Sequence, residues 1–162
     1  MRSPSRWFRL CIGAALVAAL VAPPAIGDGE DYRFGSLRID RPIARATPPG
    51  AKTGAVYFTV DNGSNSIERL LHASTPVAGG VALHQMAVED GVMKMRAVPS
   101  VEINPGGRLE LKPDGYHLML VDLKQPLKVG ETFPLMLTFQ RTGTVRTIVT
   151  VEELGAAPTR SR

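Results

Sequence analysis

One cysteine, Cys11, is the only thiol in 162 residues. It opens an apolar run, Leu10 to Val21, that follows Arg2, Arg6 and Arg9 and gives way to "APPAIGDGE". A basic start, a short apolar stretch and small residues ahead of a cleavage point describe a secretory signal peptide. Residues 1–27 are read as that leader, cut after Gly27, which directs the chain to the periplasm. The cysteine stands too early for a lipoprotein cleavage site and leaves with the leader. The exported chain then has neither thiol nor disulfide, in a compartment that permits disulfides. The apolar run is also shorter than the ~20 residues a membrane-spanning helix needs. No membrane association is expected after cleavage, a leader retained as an anchor being the alternative.

An excess of one charge is missing as well. The full chain carries 19 Lys and Arg against 15 Asp and Glu, a net charge of +4. Three of those arginines belong to the leader, so residues 28–162 are left near +1. That balance removes the electrostatic case for nucleic-acid binding, which needs a basic patch or stripe. Catalytic signatures are lacking too. There is no nucleophile with a nearby base motif, no zinc-hydrolase helix and no phosphate loop, and the chain does not read as an enzyme.

Helical periodicity is absent over any three turns. Short runs rich in Val, Leu, Ile, Thr and Phe instead alternate with Gly, Pro, Asn and Asp, the pattern of a β-sandwich or barrel. Strands are expected at Leu37–Arg41, Gly54–Asp61, Ile67–Ser74, Gly80–Val88, Val92–Val98, Arg108–Lys112, Tyr116–Leu123, Phe133–Gln140 and Val145–Glu152. The turns "DNGSNS" (61–66), "EDG" (89–91), "PGG" (105–107) and "KPDG" (112–115) supply residues that accept positive φ or preset a bend. A single domain over residues 28–155, with 156–162 as a short loose tail, fits the length. The strongest local signal is Asp90-Gly91 between two apolar runs, a two-residue hairpin loop. It pairs Glu89 with Val92, sets Met86 opposite Met95, and places His84 diagonally beside Met95.

What the chain does have is a grouping of histidine and methionine. His84 and Met86, Met93 and Met95, and His117 and Met119 are three pairs at i, i+2, each on one face of its strand. Imidazole with thioether is a soft donor set, poor for Zn²⁺, Mg²⁺ or Ca²⁺ and good for Cu(I). Methionine also fills gaps in cores, and a histidine in a β-protein often serves only as a hydrogen-bonding group. Parity and chemistry leave both readings open. Met136, in "FPLMLTF", is expected in the core, and His72, in "RLLHAST", is expected to be structural or solvent-facing.

The spacing goes further. Ten residues separate His84 from Met95, twenty-one separate Met95 from His117, and one separates His117 from Met119. This resembles the His-x10-Met-x21-His-x-Met signature of the PCu(A)C family of periplasmic copper chaperones. "GAVYFTVDN", "STPVAGGVALHQM", "DGVMKMRAV" and "GGRLELKPDGYHLMLVDLKQPLKVGETFPLMLTF" resemble that family too, over about residues 35–152. The resemblance implies an all-β, cupredoxin-like Greek-key β-sandwich holding one Cu(I) at an exposed site. By position, the ligands it implies are His84, Met95, His117 and Met119. The optional methionine that some members carry directly after the first histidine is Gln85 here. Met86 follows it as a candidate auxiliary ligand. The implied function is copper delivery, as a monomer, to the CuA centre of cytochrome c oxidase subunit II, beside a thioredoxin-like Sco protein. A general periplasmic copper buffer without a dedicated client is the alternative. Blue-copper electron transfer needs a Cys thiolate, which the exported chain lacks.

Overall fold

The computed structural model describes residues 31–89 and 91–153. The leader, Asp90 and the C-terminal tail lie outside the described residues. Eleven strands follow in chain order: β1 Tyr32–Phe34, β2 Leu37–Arg45, β3 Thr53–Asn62, β4 Glu68–Ser74, β5 Ala78–Glu89, β6 Val92–Ala97, β7 Val101–Ile103, β8 Arg108–Leu111, β9 Tyr116–Leu123, β10 Thr132–Phe139 and β11 Gly143–Glu152. No helix occurs among the described residues. The nine strands expected from pattern are present within a few residues at each end. The sequence pattern missed β1 and β7, three residues each, because alternation cannot be recognised over so short a span.

Alternation positions most of the core. Val56, Phe58 and Val60 of β3, Phe133, Leu135, Leu137 and Phe139 of β10, and Val145, Val149 and Val151 of β11 are all buried. Each set follows the period-2 geometry of a strand with one face on a core. Two strands change phase partway along. On β2 the register against β3 shifts between Asp40 and Ile43, with Arg41 at φ 44°. This bulge lets the strand run through Pro42, where the sequence pattern ends it, since a bulge is one of the few strand positions that tolerate proline. On β9, Leu118 and Leu120 are buried, Val121 and Asp122 are exposed, and Leu123 is buried again. The change coincides with Asp122 at φ 54°.

The strands share one hydrogen-bonded path, β6-β5-β9-β8-β3-β2-β11-β10-β4-β7, with β1 added to β2. Strands consecutive in sequence, such as β3 and β4 or β9 and β10, are often distant along it, as Greek-key connections require. The path folds over on itself: β4 packs against β5 although no ladder joins them. The result is a cupredoxin-like sandwich. Met136 is a correction to the expected core. It sits on the outer face of β10, half-buried, while its neighbours Leu135 and Leu137 point inward. A two-residue period cannot say which of two apolar phases faces the core, and here Phe133 and Phe139 share the phase of Leu135.

The far end of the path positions the site. β9 lies inside the sheet between β5 and its partners β3 and β8, β5 bridges β9 to β6, and β6 is the edge, with every residue exposed. Leu83 and Leu118 face each other on the inner side of the β5–β9 pair. With Leu70, Ala73 and Val98 they line a cleft of about 190 Å³ between the layers. The outer side of the same two strands carries the histidines.

Candidate metal centre

His84 on β5 and His117 on β9 are direct cross-strand partners. Their ring centroids are 5.7 Å apart, edge to face, at 87°. Strand parity alone set each histidine beside a methionine, and the family resemblance implied that both serve one ion. The β5–β9 register, which joins segments more than twenty residues apart in sequence, brings them together.

Methionines surround this pair. Met119 faces Ala82 across the same ladder, so it lies two positions from His117 and diagonal to His84. On the other side, Met86 faces Met95 and Val88 faces Met93, with Glu89 opposite Val92 at the turn. This is the register that the Asp-Gly signal predicts, and Gly91 takes the required positive φ of 76°. Pairs alternate outward from such a turn between hydrogen-bonded and non-hydrogen-bonded. The Val98 N–H to Leu83 carbonyl bond at 2.9 Å keeps that alternation. Met86–Met95 and His84–Ala97 are therefore of the close type, with Cα atoms about 4.5 Å apart. His84, Met86, Met93, Met95, His117 and Met119 thus share one face of three neighbouring strands.

Exposure is graded across that face. His117 is 5 % exposed, His84, Met86 and Met119 are half-buried, and Met95 is 47 % exposed. The centre is therefore sunk at its β9 side and open at its β6 side. His72, in contrast, is exposed on β4, opposite Thr138, and takes no part in the cluster.

The nitrogens of the two rings differ. His117 Nδ1 lies 3.3 Å from the Gly115 carbonyl. A carbonyl only accepts, so this bond requires the proton on Nδ1 and leaves the Nε2 lone pair free for an ion. Metal-binding imidazoles are commonly oriented in this way through their second nitrogen. Gly115 is also the acceptor for the Met86 N–H at 3.0 Å, so one carbonyl ties together two strands of the site. The sequence reading passed over it, although the "KPDG" turn marks a fixed carbonyl two residues before His117. His84 Nδ1 is buried and has no hydrogen-bond partner. An unsatisfied buried polar atom is costly, and a coordinated ion would satisfy it. Burial, followed by the neighbouring His117, holds the His84 pKa below the ordinary imidazole value. The lone pair that metal binding needs is thereby less readily protonated.

No group of three or more His, Cys, Asp or Glu able to hold a metal forms among the described residues. The donors gathered on this face are two imidazoles and thioethers, a set that fits Cu(I) and disfavours hard cations.

The chain has the all-β, cupredoxin-like fold of PCuAC domains. The chain belongs to the putative lipoprotein LpqE-like family, whose model matches residues 37–151. Putative lipoprotein Lxx21020 of Leifsonia xyli subsp. xyli is 25% identical over 162 residues, covering 97% of this chain and 96% of that protein. Among solved structures, apo-DR1885 from Deinococcus radiodurans is 30% identical, covering 91% of this chain and 98% of that one, with a TM-score of 0.60. DR1885 was also solved with CuI, at 32% identity and a TM-score of 0.59, covering 76% and 80% of the two chains. The copper-bound PCuAC domain from PmoF2 shares the fold, with a TM-score of 0.67 at 24% identity over 77% of this chain and 99% of that domain. A family of putative lipoproteins is one of exported proteins.

Proposed function

We propose that this protein is a periplasmic Cu(I) carrier that delivers its ion by ligand exchange to the CuA centre of cytochrome c oxidase. The observation that carries the reading is the His84–His117 cross-strand pair with an unsatisfied buried nitrogen, ringed by methionines on one strand face. Its likeness to DR1885, solved with CuI, supports the same reading. His84, His117, Met95 and Met119 hold one ion, with Met86 as the auxiliary donor.

Ligand exchange follows from the donors. Thioethers are neutral and weaker donors to Cu(I) than thiolates, so a partner offering Cys and His, whether the CuA site or a Sco-like thiol protein, draws the ion away. The exposure gradient sets the order. A partner reaches the ion from the β6 side, where Met95 is 47 % exposed, while buried His117 lets go last. No electron moves: each Cu–S or Cu–N bond that breaks is matched by one formed to the partner.

Titration with Cu(I) against a competing chelator tests binding. About one tightly held equivalent is expected, and His84→Ala or His117→Ala should weaken it at least 10–100-fold, the range seen when a metal site loses a supporting group. No uptake, or no effect of either change, refutes the reading. Delivery needs a cellular measurement at limiting copper. Loss of the protein should lower the CuA content of the oxidase. Unchanged CuA content with greater copper sensitivity would favour a buffering role instead.

A further inference from the structure

The β5–β6 hairpin carries more thioether than a four-ligand site uses. Met93 is 57 % exposed and Met95 47 % exposed on a strand that packs against nothing on its outer edge. Large apolar side chains held in solvent are unfavourable by burial arguments alone, so their placement calls for a reason. Met86 and Met95 form a close cross-strand pair, and Met93 stands two positions along β6 from Met95 and diagonal to Met86. Diagonal neighbours of this kind lie within reach of long side chains. The position on the β9 side of Met86 is Gly115, which adds no side chain to crowd it. Lys94 and Arg96 project from the opposite face, where both pair with Glu89, so no cation stands on the methionine face.

We propose that Met86, Met93 and Met95 form a separate, sulfur-only Cu(I) entry site on the hairpin, from which the ion passes inward to His84 and His117. The proposal rests on the Cu(I)-carrier reading and adds to it a first landing place and a direction of travel. Three thioethers make a trigonal soft site suited to Cu(I) and to little else. Met95 belongs to both sites and acts as the pivot, with Met86 in reach of both: the bond to Met93 breaks as bonds to the two imidazoles and Met119 form. Copper stays Cu(I) throughout. His117 is buried and His84 half-buried, while Met93 and Met95 are exposed. Capture by the exposed trio therefore precedes the tighter, slower coordination inside.

Two measurements with Cu(I) alone test this. In the first, the double variant His84→Ala/His117→Ala is studied by X-ray absorption. It should retain one more weakly held Cu(I) with only sulfur neighbours, and adding Met86→Leu and Met93→Leu should abolish that uptake. The second uses the wild-type chain, in case the double variant fails to fold. With substoichiometric Cu(I), the methyl NMR signals of Met86 and Met93 should shift or broaden, Met136 serving as the control. In the folded Met93→Leu variant, Cu(I) capture should slow about tenfold at unchanged final affinity. Uptake on the histidines with Met86 and Met93 silent and capture unchanged overturns the entry site and leaves the carrier reading intact, marking these side chains as a docking patch only. Absence of any Cu(I) uptake by the wild type overturns the carrier reading itself.

Discussion

His84 and His117 show how two similar residues on one ladder acquire different duties. His117 is buried and oriented by the Gly115 carbonyl, which fixes a geometry. His84 is half-buried with a bare nitrogen, and burial lowers its pKa. That shift makes a prediction for the copper-free protein. A folded-state pKa below the unfolded value means the unfolded chain binds the proton more readily. Stability is then full above the ordinary imidazole pKa of 6.5 and is lost as pH falls through and below it. Denaturant melts between pH 8 and 5 should show this decline, and His84→Ala should flatten it. The lowered pKa makes protons weaker competitors for His84, and Cu(I) binding should weaken as pH falls into mild acid.

At the scale of the element, the sandwich depends on buried polar staples as well as on its apolar strands. Glu68, at the start of β4, is 3 % exposed. Its carboxylate accepts the Arg69 and Arg141 N–H groups at 2.9 Å, the Thr142 N–H at 3.0 Å and the Thr142 hydroxyl at 2.8 Å. It thereby fastens β4 to the turn between β10 and β11. Burial pushes the Glu68 pKa up, but the bonds from Arg141, Arg69 and Thr142 outweigh it, and the carboxyl lies below its ordinary value. Its contribution is therefore present above pH 4.5 and is lost as pH falls through the lowered pKa. Glu68→Ala should cost on the order of 1–3 kcal/mol in urea unfolding, the usual cost of leaving buried donors unpaired. Glu68→Gln should remove most of the pH dependence in acid. Asn62 acts similarly, donating to the Ser66 and Ile103 carbonyls at 2.8 and 3.0 Å and so tying the end of β3 to the entry of β4 and to β7.

The whole molecule presents an open sheet whose outer edge beside the site, β6, is fully exposed. Such an edge invites pairing with another chain unless charge guards it. Lys94 and Arg96 supply that guard, anchored to Glu89 at 3.2 and 2.6 Å. The copper-free wild type is therefore expected to sediment as a monomer, while Lys94→Val/Arg96→Val should self-associate at micromolar concentration. Sedimentation velocity distinguishes the two outcomes, and a monomeric double variant would refute the guarding role. The guard also leaves the methionine face of the same hairpin free, which suits an element that must meet a copper partner without meeting its own copies.

Nine of the eleven strands, the hairpin register and the pairing of His84 with Met86 and of His117 with Met119 on their strand faces were legible in the sequence, because each rests on spacing along one strand or across one two-residue turn. That the pairs join in one site was implied by the family resemblance. Strand parity gives the face, and Asp90-Gly91 gives the register. Harder to see were the short β1 and β7, the passage of β2 through Pro42, and the outward phase of Met136. Each depends on which neighbour a strand meets, and no local pattern records that. The same holds for the site: donor identity is written in the sequence, as is the softness that selects Cu(I). Only the β5–β9 ladder decided that His84 lies directly against His117. The stacking of the layers likewise decided that one side of the cluster is buried and the other open, since burial depends on contacts between segments that the chain order keeps far apart.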